Sequence, residues 1–491
     1  MRNNLLDKCP LLIPAICMMV GIIIGDYLMA EIPLLPIFIG MVVVSVLLWK
    51  FEVLQSAAII TCFFVLGWLL ISRQKENNNI TWPKEEVVYE AVVISEPVEK
   101  LKTMAVDILI TSSGNKLKCY LYKDYRSKNL RIGDGLKIQS KINPNRDWHR
   151  GNFDYRRYLE IHGFSGNTFV SSWKWQKAKV SLAGISRLDR TKLFFLKLRS
   201  SLLNGIRNYH STDAYAVVAA MALGDKSALT KELKDVYSIT GASHVLALSG
   251  LHLGIIYTLL SLLIRGRRWQ MFSQLLIILS IWAFVFLVGL STSVVRSALM
   301  LSLYALMSLG HRDKMSVNTL AFAAIVLLFF NPLSLFDVGF QMSFMAVFAI
   351  LILYPLFEGV FPQEYLMSHR IVRWVWGMIT VSCAAQIGVA PLIAYYFGRF
   401  STYFLLTNFI VIPATTLILY LSLLVFVVPS LAYILLYIVG LLNTVLTWMA
   451  AIPGASIEGL HPTKIQTTMI YVIIVAVYLL VIRMRRSLHV A

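Results

Sequence analysis

Negative charge is scarce in this chain. Its 491 residues hold 26 Asp or Glu against 45 Lys or Arg, a formal net charge of +19 with only 14% of residues charged. Soluble domains carry about 25% charged residues, so the composition argues against an ordinary soluble enzyme. Cysteine is scarce as well. Of Cys9, Cys17, Cys62, Cys119 and Cys383, only Cys119 falls in a polar region, so no disulfide framework is expected. No G-x-x-x-x-G-K-[ST] phosphate loop occurs, because GDKSAL at 224–229 lacks the second glycine. The nine histidines form neither H-x-H-x-D-H nor H-E-x-x-H, which argues against a zinc hydrolase. Neither a metal nor a cofactor is expected, and no repeat of 20–50 residues appears.

What fills the sequence is apolar. Hydrophobic residues make up 57%, and runs such as MFSQLLIILSIWAFVFLVGL at 271–290 are long enough to cross a ~30 Å hydrocarbon core. Three spans open the chain, at about 11–29, 33–49 and 53–72. The first reads as a retained helix, since no A-x-A-like cleavage site follows it. Residues 73–192 differ in texture. Short alternating runs (EAVVISEPVEK, AVDILITSSGNKLKCYLYK, LKIQSKINP, GNTFV) are separated by Gly, Asn, Asp and Pro, which predicts a small all-β barrel or sandwich. Residues 193–243 read as amphipathic or interfacial helices. Residues 244–491 carry nine more spans, at 245–264, 271–290, 293–309, 316–330, 335–356, 372–394, 402–428, 430–452 and 466–482. The expected architecture is a polytopic α-helical membrane protein of about twelve spans with an inserted β domain.

Lys and Arg in short loops set orientation. Arg265, Arg267 and Arg268, then Arg312 with Lys314, Arg370 with Arg373, and Arg483, Arg485 and Arg486 fall on one side, as do Arg2, Lys8 and Lys50. Both termini are therefore expected in the cytoplasm and the β domain outside. That domain holds 23 Lys or Arg against 13 Asp or Glu, a net of +10, more than half of the positive excess. Two readings account for it: attraction to anionic lipid headgroups, or a receptor surface for a polyanion. Interleaved rings and cations favour the second, because rings stack on bases while cations follow phosphates. The candidates are Lys116, Lys118, Tyr120, Tyr122 and Lys123, and then Trp148, Arg150, Phe153, Tyr155, Arg156 and Arg157. A competing use is packing, with half the rings in the barrel core and FDYRRYL docking the barrel on the membrane helices.

Strongly polar residues inside spans are costly and mark function. TGASHVLALSGLHLG at 240–254 supplies His244, Ser249 and His252, with Gly250 and Gly254 spaced for close helix packing. Arg296, Asp337, Gln341, Gln386 and Asn408 join them, and Arg399 follows the ninth span's apolar run. Together they are expected to line a polar funnel, with Arg296 and Asp337 at similar depth and able to pair. Asn408 and Pro413 are a candidate helix break. Ser249 with His252 superficially suggests a nucleophile and base, but no acid or oxyanion element accompanies them.

Residues 222–254, ALGDKSALTKELKDVYSITGASHVLALSGLHLG, resemble the ComEC family of competence proteins, the inner-membrane DNA channels of natural transformation. SVVRSALM at 293–300, NPLSLFDVGFQMSF at 331–344, AAQIGVAPLIAYYFGRFS at 384–401, N-x-x-x-x-P at 408–413 and NP…GNFDYRRYL at 143–159 are similar to further motifs of the same family. The resemblance implies an extracytoplasmic OB-fold and a multi-helix channel passing single-stranded DNA, with no catalysis by the channel itself. Many members add a metallo-β-lactamase-like domain, which is not expected after RMRRSLHVA, so a separate nuclease is implied. Implied partners are single-stranded DNA, membrane lipids, a periplasmic DNA receptor with type IV pilus machinery, a cytoplasmic ATPase, single-strand-binding proteins and a second copy of the chain. A transporter of another solute (a polysaccharide or lipid-linked substrate) and an intramembrane hydrolase are the alternatives.

Overall fold

A computed structural model describes residues 9–28, 33–145, 149–150, 153–207, 212–264, 270–309 and 317–488; residues 149, 150, 153, 206, 207, 212, 308, 309, 486 and 488 are described as backbone only. The chain opens with α1 (Leu12–Tyr27), α2 (Leu34–Leu47) and α3 (Glu52–Asn78). Helices α1 and α3 cross where neither has a side chain in the way. A Cβ on Gly21 would stand 2.0 Å from the Phe64 carbonyl oxygen, and one on Gly67 would stand 2.2 Å from that of Met18. Small residues at such crossings let backbones touch and maximise dispersion where lipid offers no hydrophobic drive. The Leu11 amide donates to Asn318 Oδ1 at 2.8 Å, tying the start of the first helix to a residue 307 positions later.

The β domain follows, with β1 (Val87–Val93), β2 (Val98–Glu99), β3 (Thr103–Ile110), β4 (Lys116–Tyr122), α4 (Tyr125–Lys128), β5 (Gly135–Ser140) and β6 (Ile142–Asn143). A short ribbon, β7 (His149–Arg150) with β8 (Phe153–Asp154), leads into α5 (Tyr155–Ile161), then β9 (Phe164–Val170) and β10 (Trp175–Lys177). The main sheet runs β10-β5-β1-β3-β4-β9-β6, antiparallel except that β4 and β9 are parallel. Because β6 continues straight from β5 and pairs with β9, the sheet curls back on itself. Alternation decides the faces. On β4, Leu117, Cys119 and Leu121 are fully buried with Val106, Ile108, Leu136 and Ile138, while Lys116, Lys118, Tyr120 and Tyr122 point outward. Asp154 caps α5, its Oδ1 accepting the Arg157 amide at 3.0 Å.

Helix α6 (Arg187–Arg207) lays Leu193 and Leu196 on Val92 and Leu109 of the barrel. Helix α7 (Thr212–Leu223) differs from the interfacial expectation for 193–243. Its residues Ala216 to Met221 are all buried, packed among later helices. A helix apolar all round has no polar face to offer an interface, so it goes inside. Helix α8 (Lys231–Ile239) keeps the amphipathic pattern, with Leu233 and Tyr237 buried. The expected span 245–264 is also divided. After α9 (Ser243–Leu246) the backbone extends through Ala247 and Ser249 before α10 (Gly250–Leu263) begins.

The remaining helices are α11 (Gln270–Leu287), α12 (Thr292–Leu309), α13 (Val317–Phe330), α14 (Val338–Glu358), α15 (Gln363–Ser368), α16 (Arg370–Phe397), α17 (Phe404–Val425), α18 (Ala432–Ala451) and α19 (Lys464–Leu488), with β11 (Arg399–Ser401) paired to β12 (Ser456–Glu458). Helix α17 runs unbroken through Pro413, so that residue marks no helix break. Among the described residues seven helices are long and apolar enough to cross a membrane: Glu52–Asn78, Gln270–Leu287, Val338–Glu358, Arg370–Phe397, Phe404–Val425, Pro429–Ala451 and Lys464–Arg485. Others are shorter. Leu34–Leu47 has 14 residues, about 21 Å of helix. One apolar cluster joins Met18 and Ile22 of α1, Ile161 of the β domain and Leu320, Phe340 and Phe344 of the later helices, so the opening helices are not a separate body.

Candidate functional site

The outward face of β4 carries the rings and cations singled out from the sequence. Tyr120 stacks on Phe169 of β9, 4.9 Å between ring centroids and 15° between planes. Tyr155 lies within hydrogen-bonding reach of Tyr120. It stacks in turn on Tyr158 (6.1 Å, 16°), and Tyr158 lies over His162 at 4.2 Å. Five rings thus form a column from the barrel wall down helix α5. Phe169 at its head is 58% exposed. At its foot Tyr158 is close enough to Asp337 to feel that charge, which adds to burial in raising the phenol above its ordinary value.

The expected cations are less free than the sequence suggests. Lys118 Nζ meets Asp107 at 2.7 Å, Lys123 meets Glu99 at 2.8 Å, and Arg156 meets Glu160 at 2.9 Å on one helix face. The Lys123 bond holds the Glu99 carboxyl below its ordinary range. Such partly exposed pairs contribute little to stability and exchange readily. Arg157 is used differently. Its Nη2 reaches Asp26 of α1 at 2.6 Å and its guanidinium lies 3.7 Å from the centroid of Phe336, so it joins the β domain to the helices. Lys116 stands 3.8 Å over the Phe164 ring and donates to the His162 carbonyl at 3.4 Å. Tyr122 is exposed. Trp148 lies outside the described residues, and Arg150 and Phe153 enter only as backbone.

Among the polar residues of the helices, Arg296 and Asp337 are brought together from α12 and the start of α14, Nη1 to Oδ2 3.7 Å. Arg296 is 4% exposed and donates through Nη2 to the Gly339 carbonyl at 2.8 Å, while its Nε has no partner. A Cβ on Gly339 would stand 3.3 Å from that Nη2, so only glycine leaves the guanidinium comfortable room. Asp337 caps α14 through Oδ1 to the Gly339 amide (2.9 Å) and accepts from Thr292 at 3.4 Å. Gln341, one turn on, donates to the Leu335 carbonyl and accepts from Tyr396 at 2.9 Å.

The break before α10 places Ser249 as its cap. Ser249 Oγ lies 3.1 Å from Nδ1 of His252, and a reciprocal capping box results. His252 is 0% exposed, and among the described residues its Nε2 meets no side-chain partner. His244 binds the Gly241 carbonyl at 3.1 Å. Gly250 approaches Ser297, beside Arg296, at 3.2 Å from an added Cβ to Oγ, but at Gly254 an added Cβ meets nothing within 4 Å. The close crossings expected of that pair occur instead at Gly21 with Gly67, and at Gly388, where a Cβ would stand 2.7 Å from the Met345 carbonyl oxygen. Asn408 donates to Ser382 at 3.1 Å and Gln386 is half-buried on α16. Arg399 is set apart, paired with Glu458 across the small two-stranded sheet at 2.8 Å. No group of three metal-binding side chains occurs among the described residues.

Sequence reasoning missed Asp26, Lys75, Phe169 and Lys192. Asp26 alone left a sequence signal, a single carboxylate ending an apolar run.

Apolar helices of spanning length, a small β domain with a ring-and-cation face, and a buried Arg–Asp pair beneath it define a polytopic membrane protein. The competence protein family model matches residues 221–485, more than half of the chain, and the chain belongs to that family. It is similar to ComE operon protein 3 of Bacillus subtilis (27% identical over 372 residues, 73% of this chain and 45% of that protein). It is also similar to Recombination protein 2 of Haemophilus influenzae (23% over 420 residues, 81% and 51%) and to an uncharacterized protein of Aquifex aeolicus (30% over 230 residues, 46% and 49%). The chain spans about half the length of these relatives. No solved structure matches it.

Proposed function

We propose that this protein is a channel of the bacterial inner membrane that binds incoming DNA and passes a single strand into the cytoplasm during natural transformation. One observation carries the reading: the ring column runs from an exposed barrel wall to the vicinity of Asp337 and its partner Arg296. Rings that accept bases, flanked by cations that follow phosphates, are what a single strand needs. A phosphate chain cannot enter hydrocarbon bare, because each unpaired charge there costs many kcal/mol. His252, Arg296, Asp337, Gln341, Gln386 and Asn408 would supply the polar path beyond the column.

Membership in the competence protein family supports this role. The order of β5, β1, β3, β4 and β9, with the last two parallel, supports an OB-like barrel, a fold that binds oligonucleotides. Three helices before the β domain and nine from α10 onward, leaving out α15, support twelve crossings, with buried α7 outside the count. The bias of Lys and Arg in short loops supports cytoplasmic termini and an external β domain. Pulling and strand degradation fall to partners: a DNA receptor and pilus outside, and an ATPase, single-strand-binding proteins and a nuclease. Intramembrane hydrolysis is disfavoured, because His252 spends Nδ1 on the Ser249 cap and, among the described residues, has no carboxylate on Nε2.

The test is uptake of marked DNA by a strain lacking the gene. Loss of transformation, restored by the wild-type chain and not by Tyr120→Ala with Tyr158→Ala at equal membrane abundance, is the expected result. Normal transformation in the deletion strain would overturn the reading.

A further inference from the structure

At the foot of the ring column three ammonium groups share one half-buried seam between the barrel and α6. Lys116 and Lys118 stand over the same Phe164 ring, at 3.8 and 5.3 Å. Lys192 is near enough for Lys116 to feel its charge, on the helix whose Leu193 shares an apolar cluster with Leu109, the residue paired with Lys116 across the strands. Two carboxylates are close, and both are occupied. Asp107 holds Lys118 at 2.7 Å, and Asp189 accepts from Ser186 Oγ at 2.5 Å. Among the described residues Lys116 makes one long bond to a carbonyl out of three donors, and Lys192 feels Asp189 and Asp107 without forming an ion pair with a described carboxylate. The seam therefore holds one positive charge more than it neutralises, at a place where burial already weighs on both amines and lowers the ordinary value of each.

We propose that Lys116 and Lys192 hold a phosphodiester of the single strand at this seam, the first fixed backbone contact below the stacked rings. The assignment rests on the nucleic-acid reading above. A phosphodiester carries one negative charge and two free oxygens, which matches one surplus charge and two ammonium groups. The ring column beside the seam offers a surface for the bases attached to that phosphate. A lipid headgroup would also satisfy the charge, but its acyl chains need apolar surface, and what adjoins Lys116 is the Phe164 ring already covered by two ammonium groups.

The experiment uses the full chain in nanodiscs of zwitterionic lipid and a fluorescent oligothymidylate, with affinity measured across a salt series. Each phosphate contact contributes about 0.7 to the log–log slope. Lys116→Gln and Lys192→Gln should each flatten the slope by part of that amount, the double variant by about 0.7 in all, and Lys116→Arg should keep the wild-type slope. Thermal melting of each variant checks the fold. Wild-type slopes in the Gln variants overturn the proposal while leaving the channel reading intact; absence of wild-type binding to the oligonucleotide overturns both. A parallel arm in discs with phosphatidylglycerol reads lipid retention by native mass spectrometry. Loss of bound phosphatidylglycerol in the Gln variants with oligonucleotide binding unchanged assigns the seam to lipid and also overturns the proposal.

Discussion

Arg157 of the β domain donates to Asp26 of the first helix at 2.6 Å, and the same carboxylate receives Lys75 of α3 at 3.0 Å. Asp26 is only 8% exposed on its side chain, so it depends on both cations. This one carboxylate fastens the ring column to the membrane helices.

Asp26→Ala should therefore strand two cations and loosen the β domain, at about 1.5–3 kcal/mol. Limited proteolysis in the 79–86 linker should accelerate. The exchange Asp26→Arg with Arg157→Asp should recover part of the loss; if it does not, the pair is not what fixes the domain.

The two glycine sets should behave oppositely. Gly21→Ala drives a methyl against the Phe64 carbonyl and should destabilise by about 2–3 kcal/mol or prevent accumulation in the membrane. Gly254→Ala meets open space and should stabilise α10 by up to about 1 kcal/mol. Melting temperatures in detergent separate the cases.

Arg296→Ala leaves Asp337 buried without its cation and should cost about 3–5 kcal/mol. Asp337→Asn keeps the Arg296 bond to the Gly339 carbonyl and should cost less, about 1–3 kcal/mol. The double variant Arg296→Ala with Asp337→Ala should fall short of the summed single losses by about 0.5–3 kcal/mol. Strict additivity in denaturation would show that the two do not interact.

The pH dependence has a definite sign. Burial beside Lys118 and Lys192, with Asp107 and Asp189 opposing, lowers Lys116 to about 8 from 10.5. Between those values the unfolded chain holds a proton that the folded chain has released, so this residue's contribution to stability rises with pH from about 8 to 10.5. Oligonucleotide binding should move the other way and weaken above pH 8, as the ammonium is lost. Lys116→Arg stays charged and should reduce that weakening, leaving the part that Lys192 contributes; an unchanged pH profile in the variant would count against Lys116 as a titrating group.

Local patterns were legible in the sequence and long-range pairings mostly were not. The alternation of LKCYLY placed Leu117, Cys119 and Leu121 inside and the lysines and tyrosines outside, because side-chain direction on a strand depends only on parity. The meeting of Arg296 and Asp337 could be anticipated from equal depth on two spans. Asp26 and Arg157 could not, since 131 residues separate them and neither neighbourhood marks the other. Glycine spacing misled for a similar reason: Gly21 and Gly254 both look like packing positions, and the partner helix decides which one is. The division at Ala247–Ser249 is hidden inside an apolar run, where a broken span and a continuous one have nearly the same composition.

The bond from the Leu11 amide to Asn318 carries a consequence for biogenesis. Ribosomes add about 5–20 residues per second, so the first helix is made some 15–60 s before α13 exists to receive it. During that interval α1 leans first on α3, across the glycine crossing, and then on Arg157 and Ile161 of the β domain once these have emerged and folded. The three opening helices must therefore hold together without α13 for that interval, and a chain stalled before residue 318 would lack the acceptor of the Leu11 amide.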